Sequence, residues 1–177
     1  MRRFLFTLTV LLLIVLPATA AETLESVWKH QEVEFAYISL DVAYSCQLME
    51  ARIKMLLCHV GAADDVDVTV SPCTGFDLPQ RRLEISAEFS TLVTSGEGDV
   101  DIVKAEWSEV ELGKGQPQSI DDSDCELLEY FQRYLLSTIE HEVIEGTTGC
   151  GATKRSVLGR LKLKVLKPVA GDVGAAP

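Results

Sequence analysis

The chain has 177 residues, 47% of them hydrophobic and 24% charged, with 27 acidic against 16 basic side chains and a net charge of −11. That length suits one domain with its own core and is too short for two. The acidic balance argues against nucleic acid and anionic lipid as partners of the body of the domain, because such a surface repels them.

Met1-Arg2-Arg3 is a short positive region, and Phe4 to Leu16 is an apolar run interrupted only by Thr7 and Thr9, too short to span a bilayer. Pro17 breaks the run, and Ala18-Thr19-Ala20 has the small-x-small pattern that signal peptidase reads. Residues 1–20 are therefore expected to be a secretory signal peptide, cleaved after Ala20 or Ala21. No Cys follows that would take a lipid anchor. Losing Arg2 and Arg3 leaves 14 basic side chains against 27 acidic ones. A single domain is expected over 21–167, working in the periplasm or outside the cell with no stable membrane anchor.

Val33 to Tyr37 alternates apolar with polar or small residues and predicts a first strand. A helix follows. Ser45 caps it, and Met49, Ile53, Leu56, Leu57 and Val60 form one stripe at helical spacing, with Gly61 as the stop. Val66, Val68 and Val70 alternate with Asp67 and Thr69 in a second strand ending at Ser71-Pro72-Cys73, and Leu83, Ile85, Ala87 and Phe89 define a third. A Gly-rich turn at 95–99 leads to a fourth, where Val103, Ala105 and Trp107 share one face. Val110 and Leu112 fall in the opposite phase, which predicts a bulge near Ser108 or Glu109.

Asp121-Asp122-Ser123 announces a second helix, with Ser123 and Glu126 spaced as a capping box and Leu127, Leu128, Phe131, Leu135 and Ile139 as its buried stripe. A short strand at 142–145, a loop at 146–151 and a last strand through Leu161, Leu163 and Val165 complete the domain, and 168–177 has the composition of a frayed tail. The element order predicts an α+β fold, a ferredoxin-like split βαβ sandwich with extra strands: an antiparallel sheet with both helices on one face. Lys154, Arg155, Arg160, Lys162, Lys164 and Lys167 form a segment without acids, expected to dock onto the acidic body of its own domain, with membrane or polyanion binding as the alternative.

Five cysteines in an exported chain are read first as bridges. Cys46 opens the first helix and Cys73 ends the following strand, while Cys125 opens the second helix and Cys150 lies just past the strand after it. A right-handed βαβ unit brings each pair to one edge, and the separations, 27 and 25, nearly repeat. Cys46 with Cys73 and Cys125 with Cys150 are the expected bridges, each stabilising by about 3 to 4 kcal/mol; crossed pairings stay open. Cys58 is left as a free thiol on the stripe of Gln47, Ala51 and Lys54 that faces solvent, open to an intermolecular disulfide or a redox role.

The pattern Trp28, Phe35-x-Tyr37, Tyr44-Ser45-Cys46, Ile53-x-x-Leu56-Leu57, Gly61-Ala62, Asp67-x-Thr69, Cys73, Trp107-x-x-Val110 and Cys125-Glu126-Leu127-Leu128-Glu129 resembles a group of uncharacterised exported proteins of Gram-negative bacteria. That resemblance implies export and no activity. Cys46 to Ile53, running into Val60-Gly61 and Asp65 to Val70, is similar in layout to the copper-binding heavy-metal-associated domain. Met49 stands where that family has its second Cys, and the resemblance implies a soft-metal site at Cys46 and Met49.

Glu140-His141-Glu142 starts like a zinc-protease motif, but Glu145 stands where a second His ligand belongs, so the motif fails. His30, His59 and His141 lie far apart, and Trp28 and Trp107 are expected to pack at the core or its rim. There is no G-x-S-x-G, phosphate loop, G-x-G-x-x-G or C-x-x-C. The expectation is an exported binding protein without catalytic residues or cofactor, its partner another protein or a small molecule. The two rivals are a copper-handling protein using Cys46 and Met49, and a thiol redox protein using Cys58.

Overall fold

A computed structural model describes residues 23–73, 78–94, 102–113, 115–146, 150 and 160–170. The expected signal peptide, the turn at 95–99, Lys154, Arg155, most of the 146–151 loop and the tail past 170 lie outside the described residues. Among the described residues, strands β1 (Leu24–Ile38), β2 (Asp67–Ser71), β3 (Arg82–Thr94), β4 (Val103–Leu112), β5 (His141–Gly146) and β6 (Leu161–Pro168) form one antiparallel sheet, in the order β2-β3-β1-β4-β6-β5. Helix α1 (Cys46–His59) joins β1 to β2. A second helical segment joins β4 to β5: a 3-10 turn at Asp122–Asp124, α2 (Cys125–Tyr130), a π-helical stretch Phe131–Leu135 and a 3-10 turn Leu136–Thr138. With two disulfides, this is the expected α+β class and element order.

The strand order reads the same from either edge because the chain is built from one unit used twice. In the first half β1 and β2 run parallel with β3 between them and α1 as the connection. In the second, β4 and β5 run parallel with β6 between them and α2 as the connection. The registers correspond: the row Phe35–Ile85–Val70 in the first half has Val110–Leu163–Val143 as its counterpart in the second. The sequences correspond as well. Ser45-Cys46-Gln47-Leu48-Met49-Glu50 matches Asp124-Cys125-Glu126-Leu127-Leu128-Glu129, and Arg82-Leu83-Glu84-Ile85-Ser86-Ala87 matches Arg160-Leu161-Lys162-Leu163-Lys164-Val165. Among the described residues the halves are joined in the sheet only where Leu24–Ser26 of β1 pairs with Val103–Ala105 of β4.

One core fills the face that carries both helices. The α1 stripe of Met49, Ile53, Leu56, Leu57 and Val60 and the second stripe of Leu127, Leu128, Phe131, Leu135 and Ile139 are buried against Leu83, Ile85, Phe89, Leu112, Leu161 and Leu163. Ser45 caps α1 by accepting from Leu48 N at 3.3 Å. The α1 exit is tight. Gly61 has φ +93°, and a Cβ there would lie 2.8 Å from Leu166 O of β6, so this turn needs glycine and ties the first half to the second.

Two expectations are corrected. β4 has no bulge near Ser108 or Glu109, since its pairing with β6 runs unbroken from Ala105–Pro168 to Leu112–Leu161. The apolar phase flips because the strand serves both sheet faces: Val110 and Leu112 enter the helix-side core, while Val103 and Ala105 join Leu92, Leu166, Leu24 and Trp28 in a small cluster on the opposite face. The capping box also sits upstream of Ser123 and Glu126. Asp121 accepts from Ser123 N at 2.7 Å and the Asp124 carboxylate from Asp121 N at 3.0 Å, because a 3-10 turn precedes α2.

Candidate functional site

The sulfur atoms are placed as the sequence reading has them. Cys46 is bonded to Cys73 and Cys125 to Cys150, and Cys58 is free and exposed. The bridges close equivalent loops, each running from a helix start to the end of the following strand. Met49 is fully buried in the core and the Cys46 sulfur is consumed by its bridge, so neither presents a lone pair to a soft metal. Partial burial of this otherwise exposed side chain pushes the Cys58 thiol above its ordinary range and the nearby Asp64 carboxylate adds to this, the opposite of an activated thiolate.

The remaining singled-out residues do not come together. His59 Nε2 lies 2.9 Å from Glu111 O, His141 Nδ1 lies 2.8 Å from Ile139 O, and His30 is exposed on β1. Burial lowers the His59 pKa from its ordinary 6.5. Glu140 accepts from Thr94 N at 2.8 Å and Thr94 Oγ1 at 2.9 Å, which gives that residue of the motif-like stretch a structural use. Trp28 packs on the small second cluster and Trp107 is partly exposed on β4. Among the described residues no group of three His, Cys, Asp or Glu side chains is placed to hold a metal ion.

Sequence reasoning missed two constellations. The first is a buried polar cluster that pins the halves together. Asp124, only 1% exposed, accepts from the Tyr44 hydroxyl at 2.6 Å and lies 3.8 Å from the Arg52 guanidinium. Burial raises the Tyr44 pKa first, and the hydrogen bond to the Asp124 carboxylate raises it further, so this tyrosine stays a neutral donor. Beside it the Ser39 hydroxyl bonds to the Glu126 carboxylate, and Tyr37, with its pKa raised to about 12 chiefly by burial, packs 5.0 Å from the Tyr130 ring. These contacts join β1 and α1 of one half to the helical segment of the other. They answer the need to compensate a buried charge.

The second constellation is the face of the first half turned away from the helices. Three rows cross β1, β3 and β2 there: Glu32–Glu88–Asp67, Glu34–Ser86–Thr69 and Ala36–Glu84–Ser71. All five acids are exposed, and Glu34, Ala36, Thr69, Ser71, Glu84 and Ser86 line a shallow depression of about 330 Å³. Lys54 comes within 3.7 Å of Asp67 and Arg82 within 3.7 Å of Glu84. Among the described residues Glu32, Glu34 and Glu88 have no basic neighbour in ion-pair range.

The equivalent face of the second half sets lysines among its acids. Its rows are Glu109–Lys164–Glu142 and Glu111–Lys162–Glu145, a lysine between two glutamates each time. Lys164 Nζ lies 3.2 Å from Glu142, and Arg160 Nε lies 2.7 Å from Glu111. Of the described part of the basic segment, Arg160 and Lys164 are therefore docked on acids of their own domain. At the positions that hold Lys162 and Lys164 in the second half, the first half has Glu84 and Ser86.

No described helix is long and apolar enough to cross a membrane. No protein-family model matches the chain, and no curated protein or solved structure matches it.

Proposed function

We propose that this chain is an exported, disulfide-held interaction module that works by binding and not by turnover, with the helix-free face of its first half as the working surface. Each half keeps the split βαβ arrangement that suggests ferredoxin-like units. Export is supported by the leader-like first twenty residues and by two bridges of the kind that persist in oxidising compartments. The observation that carries the binding reading is that Glu32, Glu34 and Glu88 of this face have no basic neighbour in ion-pair range among the described residues, and that its central strand carries Glu84 and Ser86 where the second half has Lys162 and Lys164. That open face combines acids with Ser and Thr hydroxyls on three rigid strands, which suits recognition of a second molecule.

The soft-metal rival needs a Cys46 thiolate that its bridge removes, and the redox rival needs a thiol easier to ionise than Cys58. The test is to fractionate cells making the native chain and to screen the exported protein for hydrolytic and thiol-exchange turnover, alongside Glu34→Gln and Glu84→Gln. Mature chain outside the cytoplasm, with no turnover that depends on these carboxylates, is the expected result. Turnover abolished by either substitution in a folded protein would overturn the reading, as would retention of full-length chain in the cytoplasm.

A further inference from the structure

The two halves end the sheet differently. In the first half the edge strand is β2, whose Val68 and Val70 are 3% and 4% exposed, with α1 packed along it. In the second half the edge strand is β5, where Val143, the counterpart of Val70, is 49% exposed and Ile144 beside it 44%. The connections differ as well: α1 runs for 14 residues, whereas the matching segment is α-helical only over Cys125–Tyr130 before it turns π-helical and then 3-10. Among the described residues β5 pairs only with β6, so the backbone N–H and C=O groups along its other edge have no strand partner. An edge of that kind is a template for one more strand.

β6 shows which side chains suit this strand. It sets Lys164 opposite Glu142, Leu163 opposite Val143 and Lys162 opposite Glu145. A strand on the free edge meets the same three side chains from the other side, and Glu142 stays open there, 64% exposed although Lys164 Nζ lies 3.2 Å from it. We infer that the free edge of β5 takes up an extended segment of another polypeptide in which basic and apolar residues alternate, the apolar ones covering Val143 and the basic ones facing Glu142 and Glu145. Backbone hydrogen bonds hold such an added strand, and its alternating side chains select it. A second copy of this chain fits worse. The antiparallel register that sets Val143 of one β5 opposite Ile144 of another also sets Glu142 opposite Glu145, and like charges repel across paired strands. The register shift between Val143 and Glu145 twists the edge and keeps the added ladder short. This surface lies at the other end of the strand order from β2 and is independent of the outer face of the first half.

The test uses the mature, oxidised chain and a capped synthetic peptide with the sequence of residues 161–167 as the probe, followed by amide hydrogen exchange and chemical shifts. In the free chain the β5 amides that do not bond to β6 are expected to exchange fast, and saturating peptide is expected to slow them by about tenfold or more, with shifts centred on residues 141–146. Val143→Thr/Ile144→Thr, which keeps β-branched side chains, is expected to weaken binding about fivefold, and Glu142→Gln/Glu145→Gln about twofold. All four positions are exposed, and unchanged spectra away from the substitutions verify the fold. Equal binding by a peptide of the same composition with its lysines grouped at one end would reduce the effect to charge and hydrophobicity and overturn the inference. So would no binding, shifts centred on Asp67–Ser71, or slow exchange at β5 before peptide is added. Concentration-dependent shifts at β5 without peptide would give the edge to a second copy and overturn it too. Any of these leaves the export and turnover results untouched, so the broader reading is judged separately.

Discussion

Glu88→Lys turns the reasoning about the first half into a stability measurement. Glu88 sits on the central strand β3, directly opposite Glu32 of β1 and Asp67 of β2. The substitution converts two like-charge cross-strand pairs into two opposite-charge pairs and recreates the glutamate–lysine–glutamate pattern of Glu109, Lys164 and Glu142. Each such pair contributes about 0.2 to 1 kcal/mol. Because all the groups are exposed, screening holds the sum to about 0.5 to 1.5 kcal/mol in stability gained. For a domain of this size that is a rise in Tm of about 2 to 5 °C. The assay is urea unfolding with the disulfides intact at low and at high salt, with Glu88→Gln expected to give roughly half the gain. The gain should shrink in high salt. A neutral or destabilising Glu88→Lys at low salt would refute the claim that this row is electrostatically incomplete.

Four further outcomes follow from the same structure. Lys164→Glu, placed between Glu109 and Glu142, should destabilise by about 0.5 to 1.5 kcal/mol in the same urea assay. Asp124→Ala leaves Arg52 and Tyr44 facing an empty site at the junction of the halves, and unfolding should show a loss of about 3 kcal/mol. Replacing Cys125 and Cys150 together by Ala should lower stability by about 3.5 kcal/mol for the loop they close. His59 has a folded-state pKa below its ordinary 6.5, so its contribution is present above that pH and lost as pH falls through the folded value; His59→Gln should flatten the stability loss in that window.

The helix faces were legible in the sequence because they bury a full stripe against one core. Met49, Ile53, Leu56 and Leu57 form a single-sided pattern that a helix and nothing else explains. The disulfides were legible because βαβ handedness carries each pair to one edge. What escaped had two sides or depended on register. β1 begins at Leu24, well before the expected strand, because its first residues pack Leu24 and Trp28 on the opposite face and so break the alternation. The same two-sidedness in β4 mimicked a bulge. The acidic rows are invisible along the chain, since Glu32, Asp67 and Glu88 become neighbours only once the strands are paired. The repeat itself lies in Cys46-Gln47-Leu48-Met49-Glu50 against Cys125-Glu126-Leu127-Leu128-Glu129, a stretch too short to stand out beyond its cysteine spacing.

Everything about the open face depends on the chain being two like units, each closed by its own bridge. Mass spectrometry of non-reduced peptides from the exported protein tests this most directly. The account predicts an N-terminus at Ala21 or Glu22, one peptide pair joined through Cys46 and Cys73, another through Cys125 and Cys150, and Cys58 alone as a thiol. A bridge between the halves, or five free thiols in native material, would contradict it.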